Sequence, residues 1–199
     1  MRPLLLCIAI LWGLTTCTVS TPDYAAMSWQ GENGIRMVVE IPAGTNLKNE
    51  WNKESGMIMP DQINGADRYI DFLPYPGNYG FIPGTLMDVN KGGDGDPLDA
   101  LVIGANVPAG TIQEFIPIGL LDLKDDGETD IKIIGVPALV TDRVINATHF
   151  DDFLIHYDAA RRIIEEWFLH YKGYGKMELV GWQDDKAAHA YIKTWSTEQ

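Results

Sequence analysis

Cysteine is almost missing from this 199-residue chain: Cys7 and Cys17 are the only two, and both precede the part that can fold. No disulfide can therefore staple the body of the protein, and no thiolate zinc site can form there. Positive charge is scarce too. Lys and Arg number 15 against 28 Asp and Glu, a net charge of -13, which argues against nucleic acid as a partner. An acidic chain can still hold an anion, but only where Lys and Arg cluster or a metal intervenes. Histidine is sparse: His149, His156, His170 and His189 match no metal-ligand spacing and read as structural. The apolar stretch Leu4–Trp12 is too short to cross a membrane as a mature helix. Internal repeats, linkers and low-complexity tracts are lacking, so nothing divides the chain into two domains. What is present is 46% hydrophobic residues, enough for a real core.

The first residues stand apart. Arg2 is the only charge before Asp23, and the Leu4–Trp12 run behind it reads as the core of an export signal. Leu14-Thr15-Thr16-Cys17 resembles a bacterial lipoprotein site, at which the Cys becomes lipidated; cleavage near Ser20 with plain secretion is the alternative. This reading gives residues 1–16 as a signal peptide, 17–34 as a polar tether and 35–199 as the folded domain. It places the protein outside the cytoplasm, in the periplasm, with a membrane anchor if Cys17 carries lipid.

Short strands dominate the rest. Ile35–Ile41 is β-branched and ends at Pro42, and Lys48–Lys53 alternates. Residues 54–67 hold turn formers, Arg68–Leu73 reads as a strand, and the Pro/Gly-rich stretch 74–83 excludes a helix. Ala100–Gly104 is a buried strand, 113–123 is a strand pair or one bulged strand, and Ile131–Val136 follows an acidic turn. From residue 150 the period changes to helical, with one helix over Asp152–Tyr171, stopped by Gly173 and Gly175, and another over Asp184–Trp195. A short strand or turn, Leu179–Trp182, separates them. Several short strands followed by two helices predict a small closed or partly open barrel with flanking helices, an α+β fold that is mainly β.

The chemistry concentrates in Asp94-Gly95-Asp96-Pro97-Leu98-Asp99, a tight loop entering a strand. Three carboxylates this close repel one another unless cations sit between them. Hard oxygen donors suit Mg²⁺, Ca²⁺ or Mn²⁺, and the spacing is not that of an EF-hand. Read alone, the hexapeptide fits a solvated acidic turn equally well. The turn 124–130 adds Asp125 and Asp130, and Glu40 and Glu50 come from strands. Beside these acids stand the cations Lys48, Arg68, Lys132 and Lys172 and the phenols Tyr75, Tyr79 and Tyr171. Acids that bind divalent metals, next to cations and phenols that bind anionic oxygens, describe a metal–phosphate site.

At this point the sequence resembles the soluble family I inorganic pyrophosphatases, over about Met37 to Ile192. The residues that carry the likeness are Glu40-Ile41-Pro42, Lys53-Glu54-Ser55-Gly56, Tyr75-Pro76-Gly77-Asn78-Tyr79-Gly80, the hexapeptide 94–99, Asp125 to Lys132, His170-Tyr171-Lys172 and Gly181-Trp182. The resemblance implies an OB-like barrel with helices and hydrolysis of pyrophosphate to two phosphates. Several Mg²⁺ ions per site serve both enzyme and substrate, with Mn²⁺ or another divalent ion as a substitute. It implies that Asp94, Asp99 and Asp130 hold a tight metal pair with Asp99 bridging. Asp125, sharing with Asp130, takes a metal arriving with substrate, and Glu40 and Glu50 act through water. Asp96 is the implied general base, and Lys48, Arg68, Tyr79, Lys132, Tyr171 and Lys172 hold phosphate, with Tyr75 nearby. Shorter family members set Gln62 against Arg68 for the phosphate-binding arginine position, and guanidinium chemistry selects Arg68 at the cost of a local insertion. A homo-oligomer, a hexamer by resemblance, is also expected. The rival reading is an exported binder of divalent metal or phosphate, on the same barrel and without turnover.

Overall fold

The computed structural model describes residues 22–198. In chain order the elements are strands β1 (Ile35–Ile41), β2 (Asn49–Asn52), β3 (Met57–Pro60), β4 (Gln62–Ile63), β5 (Ala66–Asp67), β6 (Asn78–Phe81), β7 (Asp99–Val102), β8 (Ile112–Asp125) and β9 (Glu128–Pro137). Helix α1 (Phe150–His170), strand β10 (Met177–Gln183) and helix α2 (Asp185–Trp195) complete the fold. Strand β1 pairs antiparallel with β6 and β8; β6 pairs with β7, β7 runs parallel to β9, and β9 pairs with β8. The five close into a ring, the OB-like barrel the sequence led us to expect.

Strand β8 is the long member, and the choice between a strand pair and one bulged strand resolves to the latter. Its register slips between Pro117 and Gly119, where proline cannot donate to the ladder. The bend lets its first residues pair with β1 and its last with β10, while β9 follows it along the other edge. Barrel strands feed two cores by their period-two alternation. Leu101, Ile134 and Val136 point to the side of α1, where Phe153, Ile164, Trp167 and Phe168 are buried. Ala100, Val102, Ile131 and Ile133 point to the side of α2, where Ala188 and Ile192 pack. The Asp184 side chain caps α2 by accepting from Ala187 N at 2.8 Å. Glycine at position 80 is needed for β1 and β6 to approach, since a Cβ there would overlap the Val38 carbonyl oxygen.

Three stretches depart from the expectations. Arg68–Leu73 is not a strand: apart from a single bridge between Leu47 and Tyr69 it is irregular. Ile70 alone is buried while Tyr69, Phe72 and Leu73 are exposed, and the segment's main-chain pairing with residues 46–48 stops at the bonds from Lys48 N to Arg68 O and from Ile70 N to Asn46 O. The supposed turn region 54–67 contains β3 and a two-residue-per-side hairpin, β4–β5, with Asn64 and Gly65 at positive φ in its tip. That hairpin leaves and re-enters at Asp61 and Arg68, where Arg68 N donates to Asp61 O at 2.8 Å. The Pro/Gly stretch 74–83 hides β6, a true barrel strand.

The presumed signal peptide, its cleavage site and Cys17 lie outside the described residues. The tether reading fails from Asp23 onward, because aromatic residues in the segment find partners. Tyr24 is buried and its hydroxyl donates to Gly110 O at 2.9 Å. Trp29 Nε1 donates to Ser196 Oγ at 2.9 Å, which ties the segment to the chain's last turn. Residues 23–30 thus form a strap across the barrel.

Candidate active site

One open cavity of about 310 Å³ is lined by all the acids, cations and phenols singled out in the sequence. Barrel pairing brings them together. Asp99 is the first residue of β7 and lies abreast of Lys132 on the parallel strand β9. Asp130, two positions before Lys132 on the same strand, shares its face. The Lys132 ammonium, 3% exposed, donates to Asp99, reaches Asp130 at 2.5 Å and donates to the Tyr79 hydroxyl at 3.2 Å. The turns at 94–99 and 125–130 therefore meet over one cation. Burial alone would push the Lys132 ammonium down; Asp99 and Asp130 outweigh it and hold it well above the usual lysine range.

The acidic loop is braced from behind. Gly95 N donates to Met87 O and Met87 N to Asp96 O, both at 2.8 Å, while Asp96 N donates to Asp94 Oδ1 at 2.8 Å. Gly95 sits at φ 87°, a backbone that only glycine takes readily. Burial raises the Asp94 carboxyl above its ordinary range. Across the cavity, Lys172 follows α1 and bonds to Asp125 at the end of β8. Burial opposes its charge, but the bond to Asp125 prevails and its pKa stands above the usual value.

The phenols are set by aromatic packing. Tyr171 stacks on Trp167 at 4.7 Å, Tyr75 lies 4.4 Å from the same indole, and Tyr79 lies 5.2 Å from Tyr75. Burial raises all three hydroxyls, so they stay protonated and can donate to an anion. Asn78, fully buried beside Tyr79, accepts from Ala43 N (2.9 Å) and Val107 N (3.2 Å) and donates to Ala105 O (2.8 Å). It thereby locks β6, and Tyr79 with it, to two loops.

Glu40 is the outlier among the acids. Buried at the end of β1, it accepts from Trp51 N at 2.6 Å, and burial pushes its carboxyl up to about 8 despite that bond; Asp99 adds to the rise. Hairpin β2–β3 follows Lys48 and carries Glu50 and Lys53 to the cavity; Lys48 bonds to Glu50. Arg68 lines the cavity and pairs with Asp61 at 3.0 Å, whereas Gln62 is exposed and its amide reaches Asp67 at 3.3 Å. Lys53 was missed. It donates to Gly95 O at 3.0 Å and to Asp96 at 2.6 Å. It stands in Lys53-Glu54-Ser55-Gly56, a motif legible in the sequence, but its turn setting hid its reach.

Seven carboxyls thus share the cavity with five cations. Among the described residues no three acidic or imidazole groups stand together as a ready metal cage. Five of the seven carboxylates are answered by ammonium groups instead, while Glu40 and Asp94 accept main-chain N–H bonds. The donor set is all oxygen, and carboxylates from two turns meet at Lys132, which fits hard divalent cations and no soft metal.

Comparison with known proteins agrees with this arrangement. The profile of the family described as "Inorganic pyrophosphatase" matches residues 37–198. An inorganic pyrophosphatase of Sulfolobus acidocaldarius is 38% identical over 152 residues, covering 74% of this chain and 81% of that one. One from Saccharolobus solfataricus is 35% identical over 163 residues, 80% of this chain and 88% of its own. The crystal structure of inorganic pyrophosphatase from Thermus thermophilus superposes with a TM-score of 0.72 at 28% identity, over 87% of this chain and 97% of the other.

Proposed function

The chain belongs to the family I inorganic pyrophosphatases, divalent-metal-dependent enzymes that hydrolyse pyrophosphate to two phosphates, and from that premise we propose how its own residues share the work. The meeting of the two acidic turns at Lys132 carries the reading. Asp94, Asp99 and Asp130 would hold the resident cations, Asp125 would join Asp130 for one arriving with substrate, and Glu40 and Glu50 would act through water. The cations, Mg²⁺ in this reading, supply charge neutralisation at phosphate and acidify the attacking water. Asp96 takes the proton as the water oxygen bonds to phosphorus. The bridging P–O bond breaks in line, and its electron pair leaves with the second phosphate. Lys48, Arg68, Lys132 and Lys172 hold that growing charge, and the hydroxyls of Tyr79 and Tyr171 donate to phosphate oxygens. Tyr75 supports Tyr79 by contact. The cavity-side position of Arg68 favours it over Gln62 for phosphate.

The binder without turnover is not favoured, because base, acids and phosphate-holding cations all line one cavity. The deciding experiment is phosphate release from Mg²⁺–pyrophosphate by wild type and Asp96→Asn. A fall of about 10²–10⁴-fold in kcat with pyrophosphate still bound is expected. Unchanged turnover would remove Asp96 from its role.

Export belongs to the same proposal. The signal-like Leu4–Trp12 and the Cys17 context support a periplasmic enzyme anchored by lipid on Cys17. Intact mass of the mature protein tests it, a diacylglycerol-type increment being the positive result. A hexamer, by resemblance to the short bacterial enzymes, is tested by light scattering.

A further inference from the structure

Hairpin β2–β3 brings Glu50 and Lys53 to the cavity, with Lys48 at its root, yet it forms its own two-stranded sheet with no ladder to the barrel. Its polar ties to β1 are few: Asn49 Nδ2 donates to Glu40 O at 3.0 Å, and Trp51 N to the Glu40 carboxyl at 2.6 Å. Beyond β1, Lys53 at its turn donates to Gly95 O and to Asp96, and at its root Lys48 N donates to Arg68 O while Asp61 N donates to Lys48 O; the remaining seat, under the middle of the hairpin, is apolar. Trp51 and Ile58 pack on a small cluster separate from the two main cores, made of Tyr24, Val38 and Phe81 with Met27 against it. The Trp51 indole stacks on Phe81 at 5.0 Å, and Tyr24 meets Phe81 edge-on at 6.2 Å. Trp51 Nε1 is buried with no hydrogen-bond partner, so apolar contact alone holds the ring.

Two members of this seat, Tyr24 and Met27, come from the strap at residues 23–30, ahead of the family match that begins at residue 37. The Tyr24 hydroxyl also donates to Gly110 O, on the loop before β8, but it is the ring that meets Phe81. We infer that Tyr24 and Met27 are positioning residues for the hydrolysis: through Phe81 and Trp51 the strap sets the hairpin, and the hairpin sets Lys48 on the phosphate. The inference rests on the reading of Lys48 as a phosphate holder. Tyr24→Ala takes away the ring that backs Phe81, so Trp51 loses its fixed support and the hairpin shifts relative to the barrel. A displacement near 1 Å at a phosphate-holding ammonium weakens ground-state and transition-state contact together, which registers in KM before kcat.

The test is steady-state kinetics of full-length wild type, Tyr24→Ala, Met27→Ala and Tyr24→Phe with Mg²⁺–pyrophosphate, each variant checked for its fold by circular dichroism at the assay temperature. Tyr24→Ala and Met27→Ala are each expected to raise KM about tenfold with kcat changed by less than about twofold. Tyr24→Phe, which keeps the ring, restores the wild-type KM. In a Lys48→Ala background, Tyr24→Ala adds less than about twofold, because its route to the substrate is already gone. If Tyr24→Ala does not fold, Met27→Ala carries the same pair of measurements. A wild-type KM in the folded alanine variants overturns the inference, and so does an undiminished tenfold effect without Lys48. A wild-type KM for Lys48→Ala alone strikes instead at the phosphate-holding role.

Discussion

Replacing Lys132 by methionine removes the one ammonium that lies between Asp99 and Asp130 while keeping most of the side-chain volume. The two carboxylates then face each other across adjacent strands, with Asp130 only 19% and Asp99 33% exposed. Breaking a buried ion pair on one side costs about 3–5 kcal/mol. Because Asp99 reaches water, the low end, about 3 kcal/mol, is the reasoned value. For a domain of this size that is a fall of about 6–12 °C in Tm, measured in EDTA. Divalent cations should then act differently on the two proteins. In the variant a cation meets two uncompensated carboxylates, and at about a hundred times its Kd it returns about 2.7 kcal/mol. In wild type the same cation works against an ammonium already in place. Thermal scans with and without Mg²⁺ should therefore show a larger magnesium-dependent rise for Lys132→Met, while its turnover stays at least about a hundredfold below wild type. A Tm within about 2 °C of wild type in EDTA, or equal magnesium gains in both, would refute the reasoning.

Three further outcomes follow from the geometry. Arg68→Ala should cost about 1.5–3 kcal/mol of phosphate binding, about 10- to 150-fold in KM, whereas the exposed Gln62→Ala should be silent; equal small effects would take the phosphate role from Arg68. Glu40 holds its proton in the folded protein up to about pH 8, while the unfolded chain releases it near the ordinary value of 4.5. The metal-free wild type therefore loses stability as pH rises through that window, and Glu40→Gln, which cannot titrate, should gain on it between pH 5 and 8; urea midpoints with an unchanged difference at both pH values would contradict this. Gly80→Ala places a methyl group on the Val38 carbonyl and should lower Tm by well over about 5 °C or abolish folding; a wild-type melting curve would show that β1 and β6 can separate freely.

The barrel was readable wherever local chemistry and tertiary pairing agreed. The acidic loop at 94–99 and the β8–β9 turn, with Asp126 and Gly127 at positive φ, announce themselves through residues that few other backbones accept. Strand patterns misled where pairing decided the outcome. Arg68–Leu73 has strand composition and no partner strand, while β6 sits among prolines and glycines and is a strand because β1 and β7 flank it. Ring closure through β1 and β8 joins positions some 80 residues apart in sequence, such as Ile35 and Phe115, and no periodicity encodes that. The candidate site was legible because its acids and cations carry charge at unusual density. Lys53 was not, because its value depends on where a hairpin lands.

The β4–β5 hairpin leaves the chain at Asp61 and returns at Arg68, and those two residues are joined by a main-chain bond and by an ion pair. Everything between them is a side trip whose length has no bearing on where the guanidinium ends up. Counting along the chain therefore misplaces the arginine, and the protein can vary this segment while its catalytic geometry stays fixed. This exposed hairpin is thus free to diverge, in size and in what it meets outside, without moving the arginine that follows it.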